Sequence, residues 1–187
     1  SLATLTARDV LRASSSDRYL EPITAADSWL NSRPIRTVMD ASVELLRYNP
    51  THAPETADRH SLAVDLLRRS QSVDGGWGPY ETSPPEVFDT ALAVIALSSE
   101  SSMEIQHQVQ LGRSYLIASQ LRSGGWTETT RPSGNESDAQ HYSTTAWATL
   151  ALLKTRMMDR ESSGDFSEES KAAVQLPENT ALEVSFP

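Results

Sequence analysis

The chain has 187 residues, of which 16 are basic and 25 acidic, giving a formal net charge of −9. So acidic a protein repels phosphate backbones, which excludes nucleic acid as a partner. The absence of cysteine excludes disulfides, thiolate metal sites and cysteine nucleophiles, and is compatible with a reducing, cytoplasmic setting.

No apolar run is long enough to span a bilayer. No basic segment followed by an apolar stretch marks a signal peptide. The first residue is Ser1 rather than Met, which fits processing, a tag remnant or a fragment of a longer chain.

Residues 1–28 read as an N-terminal helical segment and a degenerate repeat, with a poorly defined outer helix around Ala7 to Ser14. Trp29 opens a repeat domain expected over 29–158, and a helix is expected from Ile35 to Tyr48. Ala57 to Ser70 is amphipathic, with Leu62, Ala63, Leu66 and Leu67 on one face. The turn Gln71-Ser-Val-Asp-Gly-Gly-Trp77 comes next, and then Val87 to Leu97, apolar nearly all round.

The cycle then repeats. Ser102 to Ser119 is amphipathic, with Glu104, His107, Gln108 and Arg113 on its polar side. Gln120-Leu-Arg-Ser-Gly-Gly-Trp126 is a second copy of the turn, and Thr145 to Leu153 a second apolar helix. The two turns lie 120 − 71 = 49 residues apart, as do Asp40 and Asp89 (89 − 40 = 49). A fixed period of this length marks a repeat architecture. Amphipathic helices alternating with apolar ones imply an outer and an inner layer. Residues 159–187 read as a polar linker and a tail that either packs back or is disordered.

The turn residues have a physical rationale. Gly75-Gly76 and Gly124-Gly125 end a helix tightly, since glycine accepts positive φ. Gln71 and Gln120 sit where orphan helix-end groups need partners. Trp77 and Trp126 bring large apolar area to the turn, stacking on the glutamine amide or covering the chain reversal. A structural role for all eight is the favoured reading.

Leu67-x-x-x-Gln71-x-x-Asp74-Gly-Gly-Trp77 and Leu116-x-x-x-Gln120-x-x-x-Gly-Gly-Trp126 resemble the QW repeats of squalene and oxidosqualene cyclases. Related Gly-Gly turns occur in protein prenyltransferase β-subunits. The resemblance covers about Trp29 to Lys154. It implies an all-α fold of helical hairpins forming part of an α/α toroid. A closed toroid of this family has five to seven hairpins, and this chain supplies about three, so apolar inner helices are expected to need a cover.

The resemblance also allows a test of chemistry. Class II cyclases protonate their substrate with the middle Asp of Asp-x-Asp-Asp-Thr-Ala. The matching stretch is Glu86-Val87-Phe88-Asp89-Thr90-Ala91, which puts a phenyl ring at the donor position. Glu86 and Asp89 share a helix face and are weak candidates for a substitute acid. The structural alternative is that acids in a first turn, after Pro84-Pro85, favour the helix dipole.

Prenyltransferases hold zinc with Asp, Cys and His, and no Cys exists here. Asp138-x-x-His141 lacks a third ligand, so no metal and no cofactor are expected. His52, His60 and His107 have no evident partner and are expected to be solvated. The loop Thr127 to Tyr142 is longer than its counterpart and would lie at a cavity mouth lined by Tyr80, Phe88, His141, Tyr142 and Trp147. The reading favoured by these residues is a noncatalytic repeat module that binds a protein partner, itself included, or an isoprenoid-like ligand. The alternative is part of a class II terpene cyclase with a degenerate acid motif.

Overall fold

The computed structural model describes residues 1–14, 16–48, 53–130 and 137–156. The expected polar linker and tail, residues 159–187, lie outside them, as does His52. Seven α-helices account for most of the described residues: α1 Leu2–Ala13, α2 Leu20–Ser32, α3 Val38–Arg47, α4 Ala53–Ser70, α5 Val87–Leu97, α6 Met103–Ala118 and α7 Asp138–Lys154. All belong to one compact unit, Ser1–Thr155. The backbone pairing of Gln71 with Trp77 is an isolated bridge within the turn, and no strand forms among the described residues.

Local chemistry explains where the helices begin. α3 was expected from Ile35 but starts at Val38, because Thr37 and Asp40 form a reciprocal capping box. The Thr37 hydroxyl accepts from the Asp40 amide at 3.0 Å, and the Asp40 carboxylate accepts from the Thr37 amide at 3.2 Å. The expected α7 begins earlier still, at Asp138. Its first turns are polar, so apolar periodicity starts late, while Ser137 already caps the helix by accepting from the Gln140 amide.

Two layers result. α3, α5 and α7 lie side by side, with α4 packed on α3 and α6 on α5. α5 is the centre of this row, and ten of its eleven residues are buried. The exception is Phe88. The N-terminal segment differs from expectation. The helix expected around Ala7 to Ser14 is α1, which packs on both α2 and α3, and Trp29 lies within α2. Leu5 of α1, Leu30 of α2 and Val43 of α3 form the small core that joins them. Leu62, assigned to the buried face of α4, is instead exposed.

The two Gln-to-Trp turns are wired alike. The indole N–H of Trp77 donates to the Leu67 carbonyl at 2.8 Å, and that of Trp126 to the Leu116 carbonyl at 2.7 Å. Gln71 and Gln120 donate their amides to Gly75 O and Gly124 O, each at 2.8 Å. Both indoles are buried, so these bonds satisfy helix-end carbonyls that water cannot reach. Each glutamine therefore caps its own turn, and the tryptophan engages the backbone rather than only covering it.

The turns differ in their contacts with the next outer helix. Gln71 also donates to Gln108 O of α6 at 2.8 Å, and Gln108 returns a bond to Arg68 O at 2.9 Å. Gly75 has φ +89°, and a Cβ there would lie 2.7 Å from Leu111 O; Gly124 has the same φ with nothing within 4 Å. Gly124→Ala is expected to cost about 1–2 kcal/mol for its left-handed backbone alone. Gly75→Ala adds a clash with the α6 backbone and is expected to cost more. Urea denaturation of both variants measures the gap; equal losses would contradict the contact with α6.

Candidate functional site

Inner helices that run side by side bring their first turns to one end of the layer. There Met39 of α3, Phe88 of α5, and Ala139, Gln140 and Ser143 of α7 line an open hollow of about 310 Å³, together with Thr129 from the segment after Trp126. A second hollow, of about 650 Å³, is lined by Leu2, Ala3, Thr6, Ala7, Val10 and Leu11 of α1 and by Trp147 of α7. Among the described residues, neither lining contains a carboxylate, an imidazole or a cation.

The register of α7 is set by a threonine. Trp77 donates its backbone N–H to Thr90 Oγ1 at 2.8 Å, thirteen residues on. Trp126 makes the same bond to Thr145 Oγ1 at 3.2 Å, nineteen residues on. The second repeat therefore carries six more residues between tryptophan and threonine, two of them before the inner helix and four in a longer start of α7. By this register Thr144 stands where Asp89 stands, and both are fully buried. Ser143 likewise stands where Phe88 stands.

Glu86 does not line the hollow. It is the N-cap residue of α5, and its carboxylate gathers the segment after Trp126. Thr129 Oγ1 donates to Oε2 at 2.8 Å, Thr130 N to Oε2 at 3.2 Å, and Thr130 Oγ1 to Oε1 at 2.6 Å. Hydrogen bonds to a carboxylate are among the stronger ones. Asp89 sits one turn away, fully buried in the first turn of α5. Asp40, one repeat earlier, is committed to its capping box.

The other expected mouth residues separate. Phe88 and Trp147 each line a hollow, whereas Tyr80 and Tyr142 are exposed and line neither. His141 lies within α7 rather than before it, with Nδ1 3.5 Å from Glu128 Oε2. Its neighbour in sequence spacing, Asp138, is the exposed first residue of the helix. No group of three or more His, Asp or Glu residues with metal-binding geometry occurs among the described residues. His60, expected to be solvated, pairs with Glu100 at 3.0 Å and packs against Tyr48 with ring centroids 4.2 Å apart. Its partners come from distant segments, which no local pattern reveals.

Two further residues carry no signal in the sequence. Tyr115 of α6 donates its hydroxyl to Pro85 O at 3.1 Å, tying the outer helix to the start of α5. Burial raises the Tyr115 pKa, Asp74 and Glu86 add to the rise, and a bond with Ser119 opposes it. Arg113, assigned to a polar face, is buried and donates to Leu152 O at 2.9 Å and to Thr155 Oγ1. It thereby caps the end of α7 from a neighbouring helix.

Paired helical layers joined by glutamine–tryptophan turns, with inner-helix starts around an apolar hollow, define a cyclase-like repeat domain. The chain belongs to the squalene-hopene cyclase C-terminal domain family, whose model matches residues 13–166. Its fold is the all-α hairpin repeat of that family's α/α toroid. No curated protein and no solved structure matches the chain. No helix among the described residues is long and apolar enough to cross a membrane.

Glu86→Ala is expected to release the 127–130 segment and to cost about 1–3 kcal/mol, the range for lost bonds to a charged group. Thermal unfolding gives the cost. Hydrogen exchange at the Thr130 amide gives the location, and an amide as protected as in the parent would contradict the tether.

Proposed function

We propose that this chain is a noncatalytic member of the cyclase family whose inner-layer hollow holds an apolar, isoprenoid-like ligand. The observation that carries the reading is Phe88. It occupies the position of the proton donor in the cyclase motif, and it is the one residue of α5 that is not buried. It opens onto a space lined by thioether, phenyl, methyl, hydroxyl and amide groups. Such groups bind a hydrocarbon chain but do not protonate an alkene at neutral pH. The hollow lies within the ordinary size range of small-molecule sites.

The nearest acids support the same reading. The Glu86 carboxylate is engaged by Thr129 and Thr130, and Asp89 is buried in the helix layer. A second reading, protein partner binding, is favoured by α7, where Tyr142, Leu150 and Leu153 are 69%, 51% and 59% exposed.

Incubation with squalene and with geranylgeranyl diphosphate, followed by gas chromatography, is expected to yield no cyclic product. Calorimetry with farnesol as probe is expected to show binding that Phe88→Lys abolishes while the helical circular dichroism persists. Cyclic terpenes that vanish in Glu86→Gln would overturn the reading and make Glu86 the acid.

A further inference from the structure

Of the described residues that line the hollow of about 310 Å³, all but Thr129 stand on packed helices. Thr129 owes its place in the wall to hydrogen bonds. Its backbone N–H donates to Thr144 Oγ1 of α7 at 3.3 Å, and its hydroxyl to Glu86 Oε2 at the start of α5 at 2.8 Å. Thr144 is fully buried, so the α7 side of this clasp is fixed. Thr130 is exposed and is not part of the lining, yet it bonds the same carboxylate. Its N–H donates to Oε2 at 3.2 Å and its hydroxyl to Oε1 at 2.6 Å.

The first repeat holds the equivalent segment by other means. There the backbone N–H of Val38, the first residue of α3, donates to Pro79 O at 3.1 Å. The side chain of Thr37, the N-cap of α3, is spent on its own helix through the capping box. Glu86 is the N-cap of α5 and makes no such bond to its own helix. A capping side chain ordinarily satisfies the first amides of the helix it begins. Glu86 reaches instead to the segment after the next tryptophan.

A segment held by side-chain bonds at the surface opens more readily than a helix held by packing. Apart from the bond to Thr144, these ties end on one carboxylate, so loss of that group releases them together. A ligand that touches Thr129 favours the closed segment, and by linkage the closed segment favours the ligand.

We propose that residues 127–130 are a ligand-responsive strap and that Glu86 is a positioning residue for the hollow. Glu86 sets Thr129 in the wall, and occupancy of the hollow in turn secures the strap. The proposal rests on the reading of the hollow as a site for an apolar ligand.

Amide hydrogen exchange and stopped-flow release of farnesol test it on the full chain. Bound farnesol is expected to slow exchange at the Thr130 amide by roughly fivefold or more, since that amide opens only when the strap leaves Glu86. Glu86→Gln leaves one acceptor oxygen where there were two. It is expected to speed farnesol release by roughly tenfold, and Thr130→Val by roughly threefold, with association changed less. In Glu86→Gln the effect of farnesol on the residue 130 amide should disappear. Thr130→Val, at an exposed position, keeps the test decisive if Glu86→Gln does not fold. A parent that binds farnesol with the Thr130 amide exchanging equally fast in both states makes the clasp a structural tie and overturns the proposal. Release unchanged in Thr130→Val overturns it too. A parent that binds no farnesol sinks the ligand reading itself, and the strap proposal with it.

Discussion

Everything in this fold depends on how a helix end is satisfied where water is excluded. A hairpin whose inner helix is buried on all sides must turn between layers without leaving backbone carbonyls unpaired, since each such group costs about 1–3 kcal/mol. The indole N–H of Trp77, bonded to Leu67 O, and that of Trp126, bonded to Leu116 O, meet that demand from across the turn. The same ring supplies the apolar bulk that seals the site, so one side chain is both donor and cover. Its backbone N–H then reaches Thr90 or Thr145, and that bond sets the inner helix in register. Sequence, turn geometry and layer packing thus pass through a single residue in each repeat.

The cavity inherits its character from this arrangement. Register places the first turns of α3, α5 and α7 together, so whatever residue stands at the second helical position faces the common space. Met39 and Phe88 do so in two repeats; in the third, where α7 starts earlier, their counterpart by register is its sixth residue, Ser143. The carboxylates are used elsewhere: Asp40 caps a helix and Glu86 fastens a neighbouring segment. The groups that this end of the layer presents are a thioether, a phenyl ring and a hydroxyl. Fold and chemistry are separable in this way because the turns that build the layer do not touch the space it encloses.

What was legible in the sequence was what repeats. The turn residues Gln71, Gly75, Gly76 and Trp77, with their copies at Gln120, Gly124, Gly125 and Trp126, announced the hairpins, and the apolar run of Val87–Leu97 announced a buried helix. Local capping was harder. Thr37 delays α3, and Ser137 advances α7, against the hydrophobic pattern in both cases. Contacts between segments distant in the chain were invisible: His60 with Glu100, Arg113 with the end of α7, and Thr129 and Thr130 with Glu86. A charged or polar side chain in a helical pattern reads as solvated unless its partner is known, and partners some forty residues away have no signature in spacing. Phe88 was found because it departs from a motif, which is a signal that only the resemblance provides.

The threonine latch has an evolutionary consequence. Trp77 and Thr90 are thirteen residues apart, Trp126 and Thr145 nineteen, yet the inner helices they position pack in the same row. Because both ends of the connection are pinned by the same bond, its length is free to drift. Four of the six added residues lengthen α7, and closure entropy grows only with the logarithm of loop length, so the two added before the helix cost roughly 0.2 kcal/mol. The rim of the hollow is therefore the place where such a repeat can gain or lose sequence almost without penalty, while the turns on the other side of the indole cannot. Lineages built on this scaffold can diversify what guards the cavity at nearly constant stability.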